Sequence, residues 1–228
     1  MKYLIAFLLL ASPAFAQVQQ WNLQDDPVGA SIAAAVGTNG TRVGSPTSTT
    51  GPGGSYPKAF DLETDDGIDV SASSMLFAVD TAWAVSVWVK TDGATFPIMA
   101  RPASNNPAIL KTSDTAIQVR NSAGAAYNFT VSSIGTSNWR HYLITKTSGN
   151  SLRVFVDGTE SSTGAVTMAG NFNPETLGYR NGTFGDGQVS GVKVFNTDQA
   201  ANVATLYAEG SASNVVPVII HNDQIHRR

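Results

Sequence analysis

The chain contains no cysteine, which excludes a disulfide framework, thiolate metal ligation and a cysteine nucleophile. Small secreted animal domains usually rely on disulfides, so the absence points to a bacterial or viral source and a core large enough to stand alone. Three histidines (His141, His221 and His226) show no metal-ligand spacing, and no Gly-x-Ser-x-Gly or phosphate-loop motif is present. Charge is also scarce: 14 Lys and Arg against 17 Asp and Glu give a net −3, with no run of one sign. Nucleic-acid binders carry a basic stripe, so nucleic acid is not expected as a partner. Nor does this balance favour an anionic membrane. No apolar run reaches the ~20 residues needed to span a bilayer. The nearest, residues 4–11, follows Lys2 and precedes Ala14-Phe15-Ala16. That order reads as a signal peptide over 1–16, cleaved before Gln17, and predicts a secreted or extracellular-surface protein. The remaining length suits one large domain.

What the chain does have is many short apolar runs in a Gly-, Ser-, Thr-, Asn- and Val-rich background. Turn dipeptides punctuate it at Asn39-Gly40, Asp66-Gly67, Asp92-Gly93, Asp157-Gly158, Asn181-Gly182 and Asp186-Gly187. Such spacing predicts an antiparallel sandwich or barrel and not alternating βα units. Strands are expected over 18–23, 85–90, 117–121, 127–131, 142–146, 152–156 and 189–195. One helix is expected over 198–209, with Asp198 as N-cap, Val203, Leu206 and Tyr207 on one face, and Gly210 as its end. Residues 44–56 read as a Gly/Pro/Ser/Thr loop. Residues 139–158 are the most informative stretch: two apolar runs flank a polar turn, and Leu152, Val154 and Val156 alternate with Arg153 and Phe155 before Asp157-Gly158.

That hairpin resembles the one found in laminin-G-like, concanavalin A-like jelly-roll domains of the lectin/glucanase superfamily. Further segments are similar in the same order: Trp21-Asn22-Leu23-Gln24-Asp25, Ala59-Phe60-Asp61 with Asp66-Gly67-Ile68-Asp69-Val70, Val85-Ser86-Val87-Trp88-Val89-Lys90, and the run from Gly187 to Asn196. The resemblance implies an all-β, antiparallel jelly-roll β-sandwich over 17–210 with one short C-terminal helix. An extension over 211–228 follows, in which 215–220 would add a strand to this sheet or a neighbour's. The chain departs from the pattern at Ser190, where relatives usually have Asp, and at Gly191, where they usually have an acidic residue. The resemblance also raises calcium as one option, with Asp61, Asp65, Asp66 and Asp69 supplying some of the six to eight oxygens required. The plainer reading of those aspartates is turn capping. No cofactor is otherwise implied.

Enzymes of this fold place two Glu and an Asp at alternating positions on one strand. Here Glu63, Glu160, Glu175 and Glu209 are isolated. Gln224-Ile225-His226 matches a lyase tripeptide but lies in a polar tail without its partner motifs, so a lyase or hydrolase is the weakest reading and no catalytic residue is assigned. Strand alternation directs Trp88, Lys90, Gln118, Arg120, His141, Arg153 and Phe155 away from the core. If their strands share one concave sheet, they form an aromatic platform edged by donors, suited to a sugar ring. Lys90, Arg120 and Arg153 would then favour an acidic polysaccharide. The same residues also read as sheet packing and solvated surface. A second candidate is the rim loop with Tyr179, Arg180, Asn181 and Phe184. The leading expectation is a secreted, non-catalytic module that binds an extracellular glycan or polysaccharide. The alternative is a structural or adhesive component of an extracellular assembly, with self-association or protein partners.

Overall fold

The computed structural model describes residues 17–25, 29–73 and 75–211. The expected signal peptide, the extension beyond Ser211 with its added strand, and Gln224-Ile225-His226 lie outside these residues. Two antiparallel sheets face each other across one core. The nine-stranded sheet runs Thr159–Glu160, Ser151–Val156, Arg140–Lys146, Trp83–Thr91, Gly187–Phe195, Tyr56–Leu62 and Thr47–Gly53. Gln17–Trp21 pairs beside Gly187–Phe195, and Val166–Thr167 beside Ser151–Val156. The eight-stranded sheet runs Ala126–Thr130, Ala116–Arg120, Ser104–Ser113, Phe96–Arg101, Thr176–Leu177, Gly67–Asp69, Gly40–Val43 and Ser31–Ile32. This is the antiparallel jelly-roll β-sandwich expected, and each predicted strand is present.

Alternation explains the core. Val85, Val87 and Val89 point inward from one strand, Tyr142 and Ile144 from its neighbour, and Leu152 and Val154 from the next, all essentially inaccessible. Ile109, Ile117, Val119 and Phe129 close the core from the other sheet. Trp83, a lone aromatic in sequence, stacks on Phe172 at 4.5 Å inside it. One expectation fails: residues 44–56 are not all loop, because Thr47–Gly53 pairs with Tyr56–Leu62. This edge strand has little apolar periodicity to reveal it, and its half-exposed Thr/Ser side chains gain their partners only from the sheet.

The departure at Ser190-Gly191 has a structural cause. The ladder with Trp83–Thr91 shifts register between Ser190 and Lys193. Gly191 takes a left-handed φ of 56°, and a Cβ there would fall 2.7 Å from the Tyr56 ring. Only glycine meets both demands at once. Ser190 is fully buried and donates to the Lys58 carbonyl at 2.7 Å.

The helix occupies Val203–Ser211, preceded by a 3-10 turn over Ala200–Asn202. Asp198 does accept from the Ala200 amide (3.1 Å) and from the Thr145 hydroxyl (2.6 Å), tying the entry to the nine-stranded sheet. At the other end Glu209 meets Lys193 Nζ at 2.7 Å and the Tyr56 hydroxyl at 2.5 Å. Gly210 lies inside the helix and does not end it: a Cβ there would come within 2.4 Å of Trp88. Its lack of a side chain is what lets the helix settle onto the sheet.

Candidate functional site

The residues expected to share one platform lie on two opposite outer faces. Trp88, Lys90, His141, Arg153 and Phe155 belong to the nine-stranded sheet, whereas Gln118 and Arg120 belong to the eight-stranded one. The core separates them, so no single ligand touches both sets. Alternation correctly sorted inward from outward side chains; it carries no information about which sheet a strand joins.

On the nine-stranded sheet the outward residues are not open to solvent, because the helix Val203–Ser211 roofs them. Leu206 packs with Ala84, Leu143, Phe155 and Phe195 in a second apolar cluster. Trp88 is 4 % exposed and stacks on Tyr207 at 5.6 Å. His141 is fully buried between Trp88 and Tyr207, with Nε2 2.8 Å from the Ser86 hydroxyl. Burial, and secondarily the charge of Lys193, push the imidazole down to about 3, so it is a neutral packing group. Trp88, His141 and Phe155 are therefore corrected from contact residues to the interface between sheet and helix. Arg153 stays half-exposed, as expected of the Leu152–Val156 alternation. Its guanidinium lies 5.0 Å over Phe155 and is paired with Glu160, which holds the Glu160 carboxyl below its usual range. Lys90 is half-buried, and its charge acts on Asp61.

The outer face of the eight-stranded sheet presents a different surface. Gln118 stands opposite Leu110 on one neighbouring strand and Asn128 on the other. Arg120, two residues on, stands opposite Ala108. Gln118 donates to Asn128 Oδ1 at 2.7 Å and accepts from Arg120 Nε at 2.5 Å, forming one polar row. Ala100, Ala108 and Leu110 make a small apolar cluster beside it, separate from the core.

The rim hairpin, Tyr179–Arg180 with Thr183–Phe184, is anchored beside this face by the Asn181 amide, which donates to the Arg101 carbonyl at 3.0 Å. Between hairpin and sheet lies a cleft of about 220 Å³ lined by Thr95, Phe96, Pro97, Leu110, Lys111, Thr112, Arg180 and Thr183. Burial lowers the pKa of Arg180, and the charge of Arg120 lowers it further, so the two guanidiniums feel one another. Arg180 Nη1 is enclosed and has no hydrogen-bond partner. The structure thus brings together Gln118, Arg120 and Arg180, taken from two separate expectations.

Tyr179 is not a contact residue. It is 6 % exposed, stacks on Phe184 at 5.1 Å and presses against Gly67. Burial is also the main reason its hydroxyl is pushed up to about 12. Asn181 is exposed at the turn with a φ of 47°, and Phe184 is half-buried. Leu110, Thr112, Asn128 and Thr183 were missed. Asn128 was findable, since it alternates with the inward Tyr127 and Phe129. The strand Ser104–Ser113 was not expected at all, which hid Leu110 and Thr112.

Asp66 and Asp69 do not fit a calcium site. Among the described residues no group of three or more His, Cys, Asp or Glu is placed to hold a metal ion. Asp66 is buried, with its oxygens taken by the Ser45 amide (2.5 Å) and the Glu63 amide (3.3 Å). Asp69 likewise caps the Ser71 amide at 2.8 Å. Turn capping accounts for both.

No curated protein sequence matches the chain. Among solved structures, domain 4 of an extracellular GH43 arabinanase from Geobacillus stearothermophilus, in complex with arabinotriose, superposes with a TM-score of 0.55. Identity is 16 %, over 85 % of this chain and 98 % of that one. A mutant Trypanosoma rangeli sialidase displaying trans-sialidase activity gives 0.59 at 12 % identity, over 87 % of this chain and 34 % of that one. Botulinum neurotoxin type C, which interacts with two ganglioside molecules, gives 0.60 at 13 %, over 88 % and 53 %. The chain thus spans about a third of the sialidase and half of the toxin chain, and at these identities the likeness is one of fold. The pattern of the concanavalin A-like lectin/glucanases superfamily, in its laminin G form, matches residues 62–204. With that match covering more than half its length and the sandwich it describes in place, the chain belongs to this superfamily.

Proposed function

We propose that the protein is a secreted, non-catalytic glycan-binding module, and that the outer face of the eight-stranded sheet, with the hairpin beside it, takes the sugar. The observation that carries this reading is the contrast between the two faces. The centre of one is roofed by a helix, while the other offers a continuous polar row beside apolar Leu110 and a cleft. A sugar needs both kinds of surface: hydroxyls bind fixed donors and acceptors, and the C–H face of the ring rests on apolar groups. Gln118, Asn128, Thr112 and Thr183 supply the first, and Pro97 the second, with the buried Leu110 reaching only the cleft lining. Solved structures of the same fold that hold arabinotriose or interact with gangliosides lend support. The lack of catalysis is supported by the residue set. Glycoside hydrolysis needs two carboxylates across the scissile bond, and this face is built from amides, hydroxyls and guanidiniums.

The test is a glycan-array screen of protein recovered from culture medium, with intact mass checked for loss of residues 1–16. A hit should be weakened about tenfold by the double change Gln118→Ala/Asn128→Ala, which removes two side-chain hydrogen-bonding groups, with thermal stability retained. Undiminished binding in that variant would refute the placement. Retention of residues 1–16 would refute secretion by cleavage at Gln17.

A further inference from the structure

Five cationic side chains of the described residues are seen neutralised by carboxylates within the fold. Arg101 pairs with Glu175, Arg140 with Asp157, Arg153 with Glu160, Lys111 with Asp114 and Lys193 with Glu209. Arg120 and Arg180, beside one face, are not so paired, and nor are Lys90, which belongs to the other sheet, and Lys146, which donates to the Thr81 carbonyl. Neither arginine forms an ion pair with a carboxylate among the described residues; the strand Tyr179–Arg180 packs on Phe96–Arg101 and Ser104–Ser113, Arg120 stands opposite Ala108 on the latter, and its charge acts on Arg180. Acidic groups outnumber basic ones 17 to 14 in this chain, so the omission does not reflect a shortage of carboxylates. Two like charges side by side, one of them partly desolvated, destabilise the free protein. Such an arrangement is what a site looks like when the counter-charge arrives with the ligand.

We propose that this face selects a carboxylated glycan, the uronate group of one sugar residue seated between the guanidiniums of Arg120 and Arg180. The inference rests on the glycan-binding reading above and sharpens it to a substrate class. Arginine presents a planar fork of donors that matches the two oxygens of a carboxylate. Arg120 spends its Nε on Gln118 and keeps its terminal nitrogens. Arg180 lines the cleft; its Nη1 is enclosed without a partner, which leaves its other guanidinium nitrogens for a ligand there. Gln118 ties Arg120 to Asn128, so amide groups for the ring hydroxyls stand next to the charge. Leu110 and Thr112 continue the surface into the cleft beside Arg180. Two cations on a net acidic protein fit a polymer with one carboxylate per sugar and are too few for a nucleic acid backbone. The positive patch imagined from sequence used Lys90 and Arg153, which the fold puts on the other sheet. Only Arg120 survives from it.

The experiment uses the full chain and three probes, polygalacturonate, alginate and hyaluronan, each with its carboxyl-reduced counterpart. Reduction removes the charge and leaves linkage and ring intact. At low salt at least one native polymer should bind about tenfold more tightly than its reduced form, the scale of a charge-assisted hydrogen bond. Affinity should fall as salt rises, since the contact is partly solvent-screened. Arg180→Gln and Arg120→Gln should each abolish the difference between native and reduced polymer. Neither should lower the melting temperature, because each relieves a repulsion. Should Arg180→Gln fail to fold, Arg180→Lys keeps the charge, loses the fork and should still cut the preference. Equal binding of native and reduced polymers would overturn the carboxylate assignment and leave glycan binding intact. So would equal binding of dextran sulfate, or array hits confined to neutral glycans. No binding to any glycan would overturn both.

Discussion

Lowering the pH should destabilise this protein through His141, and the size of the effect follows from its burial. In the folded state the ring is enclosed by Trp88, Tyr207 and Ser86, with Lys193 nearby, and its pKa is pushed down from 6.5 to about 3. In the unfolded chain it returns to the ordinary value. As pH falls below 6.5 the unfolded state takes up a proton that the folded state refuses, so stability drops until the folded ring titrates in turn. At pH 4.5 the unfolded imidazole is about two pH units into protonation, which at ~1.36 kcal/mol per unit removes about 2.7 kcal/mol relative to pH 7.5. That is a large share of the ~5–15 kcal/mol typical of a domain. The assay is urea unfolding at pH 7.5, 5.5 and 4.5 of the native chain and of a double variant, His141→Leu with Ser86→Ala, chosen so that no serine hydroxyl is left without its partner. Carboxylates titrate alike in both, so the difference between the two pH profiles isolates His141. The variant should lose about 2.7 kcal/mol less on acidification. Parallel profiles, or a His141 ring that titrates near 6.5 by NMR in the folded protein, would refute the burial argument.

Val154 is fully enclosed between the sheets, so Val154→Ala should cost about 1–3 kcal/mol in urea unfolding. Arg153→Ala should cost under ~1 kcal/mol, because its pair with Glu160 is about one-third exposed and screened. A larger loss at Arg153 than at Val154 would invert the assignment of faces. Gly210→Ala should destabilise by about 1–3 kcal/mol despite alanine's better helix propensity, since the new Cβ meets Trp88 at 2.4 Å. Trp88 fluorescence should shift as the helix lifts; an unchanged melting temperature and emission would show that the helix does not press on that ring.

Period-two alternation made much of the core legible in advance. In the hairpin 139–158 the buried Leu152, Val154 and Val156 and the outward Arg153 and Phe155 could be sorted from sequence alone, because a strand sends successive side chains to opposite faces. The same physics separated Tyr142 and Ile144 from His141, Leu143 and Thr145, and Ile117 and Val119 from Gln118 and Arg120. Turn dipeptides and the order of the motifs then carried the fold. Two things were beyond local pattern. One is which strands become neighbours: β pairing joins residues far apart in the chain, so whether Arg120 shares a sheet with Trp88 is a matter of long-range topology. The other is what lies over an outward face. Trp88, His141 and Phe155 point away from the core as alternation requires, yet a helix more than forty residues later in the chain buries them, admitted by Gly210 and held by Glu209, Lys193 and Tyr56. Arg180 reaches the face that carries Arg120 only because a two-strand hairpin is folded against the interior strands Phe96–Arg101 and Ser104–Ser113. Sequence determined the direction of each side chain, and tertiary structure decided what each direction meets.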